Sequence, residues 1–334
     1  MIEILHSPIF WWIAGILIIP GIIMLIISFP VAAYFVFVNV LKRNGKDYWS
    51  REMPADINPE QKAMYLCGGE WSEKNASRMQ EVHIVNKGID LYGEYYDFGS
   101  DRCAIVLSGR TESLKFGYYF AIPYAECGFN ILVLDPRAHG KSGGEYNTAG
   151  FEESLDDIAW LNYLMRNFGI RSVVFHGICV GAAGGLFAIT NPECPDIVDG
   201  IVTEGMFANF GESVKNHMIE RKKSLFITYD LIDKWMIHYT GHSMKYGPID
   251  IIDKLNIPLL MLHSKEDIYS TPDFAQKLYD KAGTAVKRIV WFEHGRHSML
   301  RYTDTKLYDK SIKNFINTIP RRHACSEKEE ENVL

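Results

Sequence analysis

Cys179 occupies the centre of Gly177-Ile178-Cys179-Val180-Gly181, between the run Ser172-Val173-Val174-Phe175 and the small residues Ala182-Ala183-Gly184-Gly185. A strand that bends sharply into a helix here aims the central side chain outward from the carboxyl edge of a sheet. The flanking glycines, Gly177 and Gly181, are needed because side chains at those positions collide in so tight a bend. The start of a helix also favours negative charge. A sulfur nucleophile needs a base, and the base needs a group that orients it. Two later segments offer both: His263-Ser264-Lys265-Glu266-Asp267 after the apolar run Pro258–Leu262, and Glu293-His294-Gly295-Arg296-His297 after Arg288–Phe292. Asp267 is expected to be the acid and His297 the base, with Glu266 and His294 as alternatives that chemistry alone does not separate. The oxyanion of a tetrahedral intermediate would be met by the backbone amide of Val180 and by one from the loop Ser108-Gly109-Arg110-Thr111, Arg110 first and Thr111 next.

Such a set works only if a scaffold brings it to one edge. Short β-rich runs at Cys103–Leu107, Ile131–Leu134, Ser172–Phe175, Gly200–Thr203, Pro258–Leu262 and Arg288–Phe292 alternate with helical stretches such as Leu155–Phe168 and Phe274–Ala282. Strands apolar on both faces and separated by helices predict an α/β domain, with a mostly parallel central sheet flanked by helices. Glu81–Val85 and Ile89–Tyr96 around Asn86-Lys87-Gly88 predict a hairpin. Each chemical candidate follows a strand's carboxyl end, where open α/β sheets place ligands.

The expected organisation is a membrane anchor over 8–41, a connector over 42–80 with a short helix Pro59–Leu66, the α/β domain over 81–320 with a small helical cap at about 207–250, and a charged, disordered tail over 321–334. From Ser7 to Leu41 the chain has no charged side chain, more than the roughly 20 apolar residues that cross a bilayer. Trp11 and Trp12 at one end and Tyr34 at the other are spaced for the two interfaces, and Pro20 and Pro30 predict kinks that a bilayer tolerates. Lys42, Arg43 and Lys46 follow the span. The positive-inside rule then predicts a single pass with the catalytic domain facing the cytoplasm.

The 334 residues carry a net charge of −6 and no basic stripe with interleaved aromatics, which excludes a nucleic-acid partner. The six cysteines lack C-x-x-C pairs and read as free thiols. Gly140-Lys141-Ser142 ends like a phosphate loop, but Asp135 holds its first glycine position. Metal-ligand spacing is missing around His263, Asp267, His294 and His297. No cofactor and no metal is expected; the partners are the bilayer and a small-molecule or lipid acyl substrate.

Over roughly 81–318 the chain resembles the α/β-hydrolase superfamily, nearest to membrane-anchored bacterial hydrolases and eukaryotic membrane-anchored relatives, some of them protein depalmitoylases. The resemblance rests on Ile131–Asp135 followed by Pro136-Arg137-Ala138-His139-Gly140-Lys141-Ser142-Gly143-Gly144, on the elbow Gly177–Gly181, on Glu204-Gly205-Met206-Phe207, on Asp267 before Ile268, and on Gly295-Arg296-His297. The chain departs from the superfamily at Ser108-Gly109, where a His-Gly is usual, at Ala138, where a glycine is usual, and at Cys179 in place of serine. Dienelactone hydrolase is a relative with a catalytic cysteine at that elbow. The resemblance therefore implies an acyl hydrolase with a Cys179–His297–Asp267 triad. Thiolate leaves more readily than alkoxide, so thioesters, enol lactones and activated esters are the expected substrates. Peptidase or acyltransferase chemistry would use the same residues. The reading from another class is a catalytically inactive binding scaffold at the membrane.

Overall fold

The computed structural model describes residues 8–43, 57–223 and 228–319. Part of the connector, including Lys46, and the tail with Cys325 lie outside them. A 34-residue helix α1 (Pro8–Leu41) leads into α2 (Pro59–Lys74), the hairpin β1 (Met79–Asn86) and β2 (Ile89–Tyr96), and β3 (Arg102–Leu107). There follow α3 (Leu114–Ala125), β4 (Asn130–Leu134), α4 (Phe151–Phe168), β5 (Ser172–Ile178), α5 (Val180–Thr190) and β6 (Val198–Glu204). Helices α6 (Phe210–Glu220) and α7 (Thr228–Thr240) form the cap, and α8 (Pro248–Ile251) returns the chain to β7 (Leu259–Ser264). The remaining elements are α9 (Pro272–Lys281), β8 (Lys287–Phe292), α10 (Leu300–Thr303) and α11 (Thr305–Thr318).

The eight strands run in the order β1-β2-β4-β3-β5-β6-β7-β8. β1 and β2 are antiparallel to their neighbours, and β4, β3, β5, β6, β7 and β8 are parallel. β4, β5, β6 and β7 are buried along their whole length, as a sheet covered by helices on both faces requires. One apolar layer, on the side of α4 and α5, centres on Ile105, Trp160, Phe175 and Leu186. The other gathers Phe120, Tyr124, Tyr308 and Phe315 beneath α3 and α11.

Helix α2 runs past the expected end at Leu66, through Gly68 and Gly69, to Lys74. Gly68 is where α2 meets α3: a Cβ there would lie 2.9 Å from the Tyr119 amide nitrogen. The residue that resembles a helix breaker in sequence is a close-packing contact in the fold.

Helix α1 contains a segment, Ile18–Leu41, long and apolar enough to cross a membrane. Its first part and its last part are in different surroundings. Ile16, Ile18, Ile19, Ile22, Ile23 and Leu25 are exposed, whereas Ala33, Phe37 and Leu41, spaced four apart on one helix face, are buried. Phe37 stacks on Tyr239 at 5.3 Å and on Tyr146 at 5.6 Å, and the Trp235 indole donates to the Pro30 carbonyl at 2.9 Å. Tyr34, expected at a membrane interface, meets Trp235 edge-on at 5.1 Å. Beyond the helix, Asn147 N donates to Leu41 O at 2.8 Å, and the Arg43 guanidinium donates to the Gly140 and Ser142 carbonyls at 2.6 and 2.7 Å. The end of α1 is thus clamped to the cap and to the loop after β4.

Candidate active site

β5 delivers Cys179 at φ 52°, ψ −108°, a left-handed conformation that a residue with a Cβ adopts only under constraint. The constraint is visible on both sides. A Cβ at Gly177 would overlap Ala182 Cα, and one at Gly181 would overlap the Leu107 carbonyl. The Cys179 amide donates to the Glu204 carbonyl at 2.9 Å, which fastens the bend to β6. The side chain is partly exposed at the first turn of α5.

Asp267 follows β7 and His297 follows β8. His297 Nδ1 lies 2.6 Å from Asp267 Oδ2, and Cys179 is near enough to the imidazole to act on its charge. Asp267 Oδ1 accepts from the Tyr269 and Ser270 amides, both at 2.9 Å, so the carboxylate is fixed before it meets the imidazole. Burial raises the Asp267 pKa, but the charge and hydrogen bond of His297 outweigh it and hold the carboxyl below its ordinary range. Burial likewise opposes a charged His297, yet the Asp267 carboxylate and the Cys179 sulfur hold its pKa well above the usual imidazole value. Glu266 and His294 pair with each other instead, at 2.9 Å, on the exposed surface away from this chain of contacts.

The loop after β3 separates the two amides expected of it. Thr111 N donates to His139 Nε2 at 3.0 Å and is therefore engaged. Gly109 N donates to Glu112 Oε2, also at 3.0 Å. Among the described residues the amides of Arg110 and Val180 have no such acceptor, leaving both available to an oxyanion. Ala138, in place of the superfamily's glycine, takes φ 62°, so the chain holds there the geometry a glycine would adopt without strain. Gly140-Lys141-Ser142 is a structural turn: the Lys141 amide donates to Asp135 at 2.8 Å, and a Cβ at Gly140 would overlap that carboxyl group.

The residue roles above miss one carboxyl group. Glu204 is fully buried; its Oε1 accepts from the Leu300 amide at 3.0 Å, its Oε2 accepts from the Tyr308 hydroxyl at 2.5 Å, and its carbonyl holds the Cys179 amide. It ties the elbow to the turn that follows His297. The sequence signal was its place at the end of an apolar strand, where a carboxylate has no solvent. Burial raises its pKa to about 7, with the Tyr308 and Leu300 hydrogen bonds opposing. A carboxyl whose folded pKa lies above its unfolded value binds its proton more tightly when folded. Its contribution to stability is full below about pH 4.5 and is lost as pH rises through about 7. The loss is of order 3 kcal/mol. Glu204→Gln should therefore melt with a flatter pH dependence than wild type between pH 5 and 8. Parallel curves in thermal unfolding would rule out this role.

With the geometry in view, the class is plain: the chain has the α/β-hydrolase fold. A family model described as alpha/beta hydrolase fold matches residues 105–223. The esterase Pf2001 of Pyrococcus furiosus superposes with a TM-score of 0.62 at 19% identity, over 74% of this chain and 94% of that one. An esterase of Exiguobacterium antarcticum superposes with a TM-score of 0.53 at 16% identity, over 72% of this chain and 100% of that one. Among curated proteins, the uncharacterized YqkD of Bacillus subtilis is 28% identical over 65% of this chain and 70% of its own length. The lysophosphatidylserine lipase ABHD12 of Xenopus tropicalis is 24% identical over 47% of this chain and 40% of its own length. These likenesses show the α/β-hydrolase fold, and the chain is similar to members of that superfamily.

Proposed function

We propose that the protein is a single-pass, membrane-anchored acyl hydrolase whose domain faces the cytoplasm and which cleaves thioesters or activated esters through Cys179, His297 and Asp267. The observation that carries this reading is the His297 imidazole, held at 2.6 Å by Asp267 Oδ2 and within electrostatic reach of Cys179 at a strained bend. The Cys179 sulfur attacks the acyl carbon, forming a C–S bond, and the thiol proton resides on His297. The carbonyl electrons move to oxygen, which the Val180 and Arg110 amides meet. Collapse breaks the bond to the leaving group, which takes the proton from His297. Water then attacks the acyl-cysteine and gives a proton to His297; collapse expels the Cys179 sulfur and releases the acid. The buried Asp267 carboxylate holds the imidazole ring and stabilises its cation throughout.

The test is intact-mass spectrometry of the full chain mixed with a stoichiometric short-chain acyl thioester. The expected result is a transient mass increase of one acyl group that maps to Cys179. A chain that neither gains the acyl group nor releases free thiol is a binding scaffold.

A further inference from the structure

A cavity of about 480 Å³ opens between the end of α1 and the cap. Val36 and Val40 of α1 form one wall, Phe210, Val214 and Met218 of α6 form the other, and Arg110 and Thr111 lie at its base. The cavity lies near the candidate catalytic residues. His217 in its lining stacks on Tyr269 at 3.8 Å, and Tyr269 meets His297 edge-on at 5.6 Å. The helix read as an anchor is therefore also a wall of this cavity. Arg110 joins the two parts: its guanidinium donates to the Val40 carbonyl at 3.3 Å, and its backbone amide is the oxyanion candidate.

The charge of the cavity is one-sided. Arg110, Arg221 and Lys223 line it, and among the described residues its lining includes no carboxylate. The nearby acids are otherwise engaged, Glu112 by the Gly109 amide and Glu220 by the Tyr269 hydroxyl at 2.7 Å. Among the described residues the Arg221 guanidinium has no ion-pair partner. Arg110 is close enough to both Cys179 and Arg221 for their charges to act on it; burial and then Arg221 hold its pKa below the ordinary guanidinium value, against the opposing pull of Cys179 and Glu112. Glu112 offsets part of the Arg110 charge, but Arg221 and Lys223 add cations to a lining without a carboxylate, and such a lining invites an anion. The volume suits one small ligand, in the range of about 300–1,000 Å³, and is too small for two long chains. The apolar wall continues along α1 to the exposed Phe35 and Val31, and so toward the membrane.

We infer that this cavity takes a membrane-borne, single-chain acyl amphiphile bearing an anionic group, its chain against Val36, Val40, Phe210 and Val214 and its anion between Arg110 and Arg221. The inference rests on the hydrolase reading for the chemistry at Cys179, while the binding it asserts is measurable without turnover.

Two decanoyl thioesters, of mercaptoacetate and of mercaptoethanol, differ only by a carboxylate on the leaving group. With the full chain in phosphatidylcholine nanodiscs, kcat/KM for the anionic probe should exceed that for the neutral one by about tenfold or more. The ratio should fall toward one in Arg221→Gln, survive in part in Arg221→Lys, and shrink between 0.05 and 0.5 M salt, as an exposed cation requires. Val40→Trp should lower the ratio of decanoyl to acetyl turnover by about tenfold. Equal rates for the two probes in wild type, or a chain-length ratio that Val40→Trp leaves unmoved, would overturn the assignment. Binding separates the two readings. Decyl phosphate bound more tightly than decanol by Cys179→Ala, with that preference lost in Cys179→Ala/Arg221→Gln, supports the cavity even if no acyl probe is turned over, and in that case the hydrolase reading alone fails. Equal binding of decyl phosphate and decanol overturns the cavity assignment whatever the activity.

Discussion

Cys179→Ala is expected to lower kcat/KM on an acyl thioester by about three orders of magnitude or more, with a melting temperature close to that of wild type. Removing a nucleophile eliminates the covalent route, and what remains is the acceleration from binding and the oxyanion amides alone. Cys179→Ser carries more information. In wild type, a tetrahedral intermediate from an alkyl ester holds a sulfur and an alkoxide, and the sulfur departs more easily. From a thioester the two leaving groups are matched. Wild type should therefore prefer a thioester to the corresponding alkyl ester by about a hundredfold, and the serine variant should compress that preference by at least tenfold. Steady-state kinetics on the matched pair reads this directly. A wild type that hydrolyses the alkyl ester as fast as the thioester removes the argument that sulfur sets substrate choice.

The second large effect concerns the carboxylates. Asp267→Asn should reduce turnover by about three orders of magnitude, because the buried partner that orients His297 and stabilises its cation becomes neutral. The His297 pKa, held up by that carboxylate and by Cys179 against burial, should fall in the same variant. NMR titration of the imidazole measures the shift. Glu266→Gln breaks an exposed pair with His294, and such pairs contribute little, so its activity should stay within about twofold of wild type. If the two variants behave alike, or Glu266→Gln is the more damaged, the assignment of the acid is wrong.

These neighbouring residues show how far a sequence reading reaches. The strands and the elbow announce themselves within a dozen residues, through apolar runs, β-branched side chains and paired glycines. Their observed ends lie within a few residues of expectation, since strand burial is a local pattern. Nothing local distinguishes Glu266 from Asp267 or His294 from His297; what differs is which side chain the loop turns inward, and the Tyr269 and Ser270 amides hold Asp267 toward His297. The Thr111 amide likewise donates to His139, 28 residues away, a partner no local pattern announces. The substrate pocket was less legible still. Its walls come from α1 and the cap, and the bond that closes them, Trp235 to Pro30, joins positions 205 residues apart. Apolar character marked α1 as a bilayer element, and the same character hid its second contact surface.

That clamped junction has a geometric consequence: it works as a ruler. A helix rises about 1.5 Å per residue, so residues 8–29 span about 33 Å, close to the thickness of a bilayer's hydrocarbon core. On the proposed membrane-spanning reading, Pro30, where Trp235 takes hold, would lie at the surface of that core, with Val36 and Val40 about 9–15 Å above it. A flexible tether would let the domain drift to any height. If α1 spans a bilayer as proposed, a fixed strut instead holds the domain and its cavity at one height above the membrane. On that reading, adding or removing a turn of α1 before Pro30 would shift that height by about 5 Å and leave the clamp and the cavity wall in place.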